Sequence, residues 1–254
     1  MTRIRFINCD IDCMTFAESL QVLEEALITG RRGYVVTPNA AHIVTLEHNP
    51  TFRRAYRDAA LVLPDGFSII AASRILGTPF PERVCGSDLM IPLCGIAERL
   101  GKRVFILGGV GGSQMRAVQN LRARFPRLAV DCFAPPFGFE KDAAGVDELV
   151  RRINGFATDV LFVCVGAPKS EILMHRIMPA LCCTLALAVG SAVEYTAGTI
   201  ARAPHWVRTA GMEWAWRLIL EPRRLWRRYL IGNAIFMLLV ARTLYRRLMN
   251  TGHP

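Results

Sequence analysis

Polar residues recur in this chain just past short runs of Val, Ile and Leu, where side chains at strand ends can do chemistry. TPN follows YVV, and Pro38 keeps Thr37 extended, so that Thr37 and Asn39 are presented together at a strand tip. A turn or helix cap is the other reading of the same pair. LVLPDG holds the carboxylate of Asp65 between Pro64 and Gly66, placed either to take a proton from a hydroxyl or to cap the next helix. PERVCGSD gathers Glu82, Arg83, Ser87 and Asp88 around a glycine, with Arg83 either serving a site or only pairing with Glu82 at the surface. LGGVGGS, from Leu107 to Ser113, leaves a strand and opens a helix, a turn in which the backbone N–H groups around Gly108 and Gly109 can approach a phosphate. It is not a dinucleotide fingerprint, because GVGGSQ lacks the third glycine. VGAPKSE sets Gly166, Pro168, Lys169 and Glu171 at another strand end, Lys169 suited to an anion and Glu171 to a hydroxyl. Asp10-Ile11-Asp12 has the look of a metal motif, but it precedes the first strong strand and helix and reads as a turn; no metal is expected.

The elements that must position these residues follow from the apolar pattern. Strands are expected at Tyr34–Thr37, Ala60–Leu63, Val104–Leu107, Ala129–Phe133, Val160–Val163 and Thr184–Ala188, with helices between them. Thr15 and Glu18 form a capping box, Asn49-Pro50 supplies an N-cap and a first-turn proline, Ser87 caps a helix running to about Leu100, and Ser113 starts another. Short apolar strands spaced by helices predict an α/β fold, a Rossmann-like parallel sheet covered on both faces, which binds ligands outside the carboxyl ends of its strands. The character changes near Gly198, dividing a body at 1–197 from a basic amphipathic appendage at 198–254.

That appendage carries the charge. Of a net +10, the residues after Ala201 hold +8, from ten arginines against Glu213 and Glu221. Local basicity of this kind suits an anionic surface, and no nucleic-acid-binding signature accompanies it. In EPRRLWRRYLIGNAIFMLLVARTLYRRLMN the uncharged run from Tyr229 to Ala241 has 13 residues. As a helix it would reach roughly 20 Å, short of the about 30 Å of bilayer hydrocarbon. Arginines on both sides, with Trp226 and Tyr229 among them, suit a helix lying in the interface; docking on the body or on a second copy is the alternative. The eight cysteines show no C-x-x-C pair and fall mostly in apolar runs, as free thiols do. MTRIRFINCDIDCMTF has no apolar stretch of signal-peptide length, so a cytoplasmic placement is expected.

Taken in order, T-P-N at 37–39, L-P-D-G at 63–66, E-R-V-x-G-S-D at 82–88, G-x-P-K-x-E at 166–171, A-G-T-I-A-R-A-P-x-W at 197–206, G-M-E-W-x-x-R at 211–217 and E-P-R-R-L-W-R-R-Y at 221–229 resemble the WecG/TagA/CpsF family of bacterial glycosyltransferases, family 26. The resemblance implies an inverting, metal-independent transfer from a UDP-sugar to a polyprenyl-diphosphate-linked sugar, in cell-envelope polysaccharide synthesis. It also implies a peripheral enzyme on the cytoplasmic face of the inner membrane, without cofactor. Asp65 would be the base, with Thr37, Asn39 and Arg83 beside it. Gly108, Gly109, Gly166, Pro168, Lys169, Glu171 and Glu194 would hold UDP, and Arg217, Arg224 and Arg227 would meet the departing diphosphate. This chain has Ser170 where the family often has glutamine, and Val193-Glu194 where many members have phenylalanine–aspartate. An NAD-dependent oxidoreductase and a non-catalytic membrane-surface scaffold are the competing readings; a homo-oligomer is compatible with all three.

Overall fold

The computed structural model of the chain describes residues 2–204, 206–207, 211–220, 222–226 and 230–250. Six parallel strands form the central sheet, in the order β4-β3-β8-β7-β5-β6. They are β3 (Gly33–Val36), β4 (Leu61–Val62), β5 (Val104–Gly108), β6 (Val130–Phe133), β7 (Val160–Cys164) and β8 (Leu185–Ala188). Each matches an expected strand to within a residue or so at either end, and continuous burial along β5, β7 and β8 explains why they read as unbroken apolar runs. The connecting helices include α1 (Phe16–Thr29), α2 (Ala40–His48), α3 (Pro50–Arg57), α4 (Phe67–Ile75), α5 (Gly86–Arg99), α6 (Ser113–Arg124), α7 (Ala143–Gly155), α8 (Lys169–Ile177) and α9 (Ala192–Ala197). They bury two apolar clusters against the sheet, one containing Val36, Leu107 and Val163, the other Val35, Ile106 and Phe162.

Local signals act largely as expected. The Thr15–Glu18 capping box starts α1, and Asn49 with Pro50 starts α3. Ser87 does not cap α5: the N-cap is Cys85, two positions earlier, and Gly86 at the helix start presses against the end of β8, where a Cβ would lie 2.7 Å from the Ala188 carbonyl oxygen. The Asp10–Asp12 segment is not a turn. It belongs to β2 (Cys9–Asp12), which pairs antiparallel with β1 (Arg3–Phe6) in a separate hairpin. Asp12 is buried, takes two 2.9 Å hydrogen bonds from the Arg3 guanidinium and accepts the Val62 N–H at 2.8 Å, which sews the hairpin to β4.

Beyond α9 the chain forms α10 (Glu213–Leu220), α11 (Pro222–Trp226) and α12 (Gly232–Asn250). Arg217 belongs to α10 and Arg224 to α11. Helix α12 has two apolar sides. Phe236 and Val240 are buried in the core cluster against α2, while Leu238, Met237 and Leu248 are exposed. No helix among the described residues is long and apolar enough to cross a membrane.

If Asp12 is structural, Asp12→Ala leaves Arg3 and the Val62 N–H without their buried acceptor and lowers unfolding free energy by roughly 2 to 4 kcal/mol. Chemical denaturation measures this, and a chelator should leave the wild-type midpoint unchanged.

Candidate active site

A cavity of about 1280 Å³ opens over the carboxyl ends of β3, β4, β7 and β8. Its floor is made of strand-end loops laced to one another. The Asp65 N–H donates to the Pro38 carbonyl at 3.0 Å, and the Val84 N–H donates to the Pro64 carbonyl at 2.8 Å. Thr37, Asn39, Asp65 and Arg83 thereby meet on one wall, although they lie on three separate loops.

Each has a local reason for its place. The Asn39 side chain accepts the N–H groups of Ala41 and His42 and so caps α2; its oxygen is engaged, which leaves its amide N–H groups to face a ligand. Asp65 does not cap α4. The N-cap is Gly66, at φ +90°, with no side-chain cap, so the Asp65 carboxylate is left for the cavity. Arg83 does not pair with Glu82, which instead accepts the Phe16 N–H at 2.8 Å. Arg83 donates to Asp88 at 3.2 Å and to Glu213 at 3.1 Å.

The electrostatics set Asp65 apart. Burial pushes its carboxyl up to about 6; Arg83 and a hydrogen bond with Cys85 pull the other way, and Glu213 and Asp88 add to the rise. Arg83 is held above its ordinary range: burial opposes its charge, but Cys85, Asp65, Asp88 and Glu213 around it outweigh that.

Gly166, Glu171 and Glu194 line the same cavity. Glu171 is buried, 3.9 Å from the His42 imidazole, which in turn lies 2.7 Å from the Tyr56 hydroxyl. Four expected residues lie outside the lining. Gly108 and Gly109 sit behind Val110; a Cβ on Gly108 would meet the Cys164 carbonyl at 2.8 Å, so that glycine serves the approach of β5 to β7. Pro168 stands at the start of α8, and Lys169 turns outward to Glu140 at 2.7 Å and the Phe137 ring. Arg227 lies outside the described residues, as do the side chains of Arg217 and Arg224. The sequence reading missed His42, Glu213, Trp214 and Asn233, all on the lining. A signal existed for Glu213 and Trp214, which stand side by side in the G-M-E-W run at 211–214. Among the described residues no group of three His, Cys, Asp or Glu side chains is placed to hold a metal ion.

Comparison with known proteins agrees with this geometry. The profile described as "Glycosyl transferase WecG/TagA/CpsF family" matches residues 4–250. The chain is similar to the N-acetylglucosaminyldiphosphoundecaprenol N-acetyl-beta-D-mannosaminyltransferase of Bacillus spizizenii, 27% identical over 82% of this chain and 79% of that one. It is also similar to the Bacillus subtilis protein of the same name, 28% identical over 66% of this chain and 64% of that one.

The raised Asp65 carboxyl has a stability consequence. Its ordinary value is 3.8 and its folded value about 6, so folding favours the protonated form; that contribution is full below 3.8 and is lost as pH rises through about 6. Asp65→Asn should therefore be more stable than wild type above pH 6, by roughly 1 to 3 kcal/mol, with the difference vanishing near pH 4. Urea denaturation at a series of pH values reads it directly.

Proposed function

Because the chain belongs to the WecG/TagA/CpsF family of glycosyltransferases, we propose that it transfers a hexose-type sugar from UDP to a polyprenyl-diphosphate-linked sugar, with inversion and without a metal ion. The relatives' names specify N-acetyl-β-D-mannosamine as the sugar moved and N-acetylglucosaminyl-diphosphoundecaprenol as the acceptor, which makes these the first substrates to try. The observation that carries the reading is Asp65: a carboxylate with a raised proton affinity, at a strand tip, facing a cavity wide enough for a nucleotide-sugar.

In this reading the acceptor hydroxyl attacks the anomeric carbon while Asp65 takes its proton. The bond from that carbon to the diphosphate breaks on the opposite face, and UDP leaves with the electron pair. Thr37 and the Asn39 amide hold sugar hydroxyls, and Gly166, Glu171 and Glu194 line the nucleotide end. Arg83 stands beside Asp65, and charge on the departing diphosphate is met by Arg217, Arg224 and Arg227 of the C-terminal segment, where arginine's forked donors suit phosphate oxygens.

The division of labour follows. Residues 1–197 hold the base and the nucleotide, while 198–254 bring the site to a lipid surface and close its rim. Gly211, Glu213, Trp214 and Asn233 already stand on the cavity lining. Trp206, Ile219 and Leu238 are exposed, at 71%, 76% and 69%, beside a surplus of arginine. Apolar side chains among basic ones suit a peripheral contact with an anionic leaflet.

Incubation with a panel of UDP-sugars and a lipid-diphosphate N-acetylglucosamine acceptor tests the activity. Asp65→Asn should bind UDP normally in calorimetry yet lose a hundredfold or more in turnover, on the order expected for a general base. EDTA should leave wild-type turnover intact. Stabilisation by NAD but not UDP, or near-normal turnover by Asp65→Asn, would sink the reading. For the surface, Ile219→Asp and Leu238→Asp replace exposed residues, so they should fold normally and weaken sedimentation with anionic vesicles; unchanged sedimentation would rule out this face as the membrane contact.

A further inference from the structure

Arg83 belongs to a closed ring of four alternating charges. Its Nη1 lies 3.1 Å from Glu213 Oε2 and its Nη2 lies 3.2 Å from Asp88 Oδ2. The other oxygen of Asp88 accepts from Arg202 Nη2, and Arg202 Nε lies 3.9 Å from Glu213 Oε1, which closes the circuit. Arg83 and Asp88 come from the loop before α5 and its first turn. Arg202 and Glu213 come from the C-terminal segment, 114 to 130 positions away. All four side chains are largely shielded, with 17% to 27% of their surface exposed. In such surroundings each charge is tolerated because opposite charges lie close to it, although the buried Arg202 Nε has no hydrogen-bond partner among the described residues.

We propose that Glu213 and Arg202 are positioning residues, which latch the C-terminal segment onto the body and, in the same contact, hold Arg83 in place beside Asp65. The inference rests on the glycosyltransferase reading for what Asp65 does, but the contact itself does not.

Two further features separate a positioning role from a simple surface pairing. Glu213 reaches the ring from a fixed start: Gly211, at φ +72°, packs so tightly on Phe67 that a Cβ would lie 2.5 Å from its ring, and the Met212 N–H donates to the Val207 carbonyl. Phe67 is itself a cavity-lining residue of α4, two positions beyond Asp65. The ring also engages Arg83 on the side of its acids. Among the described residues, the charged and titratable groups facing Asp65 are Arg83, Cys85, Asp88 and Glu213. With both acids in place the pull of Arg83 on the Asp65 proton is countered; with Glu213 absent, Arg83 faces Asp65 with one anion fewer to offset it. Docking of the segment and the basicity of Asp65 are thus linked through one guanidinium.

The test compares full-length wild type with Glu213→Gln and Glu213→Asp. Hydrogen exchange over residues 199–220 reads the latch. The acid limb of the kcat/KM profile reads Asp65 during turnover, and the stability gained by adding Asp65→Asn at pH 7.5 reads it without turnover. In Glu213→Gln, protection over 199–220 should fall, the acid limb should move down by about one pH unit, and the stability gain should shrink; Glu213→Asp should restore all three in part. Lost protection with an unmoved limb and an unchanged stability gain would reduce the ring to an anchor and overturn the positioning role. Unchanged protection would remove the latch. If wild type transfers no sugar, the functional reading fails, while the exchange and stability measurements still decide whether the ring acts on Asp65.

Discussion

Two backbone hydrogen bonds, Asp65 N–H to the Pro38 carbonyl and Val84 N–H to the Pro64 carbonyl, hold the candidate site together. They tie the loop after β3 to the loop after β4, and that loop to the entry of α5. A loop at the edge of a sheet ordinarily moves more than the strand it leaves. Here each loop is braced by the next, and Gly86 presses the start of α5 onto the ends of β8 and β3, so close that a Cβ would meet Ala188 and Thr37. Behind the rim, β5, β7 and β8 are buried almost throughout, and a packed interior deforms little. Thr37, Asn39, Asp65 and Arg83 keep their mutual placement because the main chain leaves them little freedom.

That placement works against stability. A carboxylate is half-buried beside a cluster of other acids, and its proton affinity rises as a result. The same surroundings that disfavour the charged form make it a stronger base when it does ionise. Arg83 relieves the strain only partly, because Asp88 and Glu213 share its charge. The ring that includes Arg202 keeps four ionised groups tolerable in a region largely closed to water.

The C-terminal segment presents different faces to the body and away from it. Phe236 and Val240 seal α12 to α2, and Arg247 reaches back to the carbonyls of Leu76 and Arg5, so the segment is docked. Its outward apolar residues stay uncovered among the described residues, beside most of the chain's excess positive charge. A helix that is apolar on both sides, too short in its uncharged run to span a bilayer and flanked by arginines, suits docking on one side and contact with a lipid surface on the other.

Much of the fold was legible because buried parallel strands are continuous apolar runs; the polar residues at their tips, Thr37, Asn39 and Asp65, and Arg83 of the cluster before α5 all line the cavity. The β1–β2 hairpin was not legible, since RIRF and CDID alternate charge with apolar residues over only four positions and take their meaning from Asp12 reaching Arg3 and Val62. Nor does a motif state what its residues meet: Lys169 stands at a strand end yet reaches Glu140, Gly108 lies where a Cβ would meet Cys164 of the neighbouring strand, and Gly109 lies against Ser113 of its own turn. The sequence by itself determined the sheet, the strand-tip carboxylate and the basic terminus, because period, composition and turn chemistry are local properties of the chain. Only the tertiary structure decided that Glu213 and Arg202 complete the ring around Arg83, because an ion pair between residues 130 positions apart leaves no trace in either neighbourhood and exists only once the packing of α10 and α12 has brought the two charges within reach.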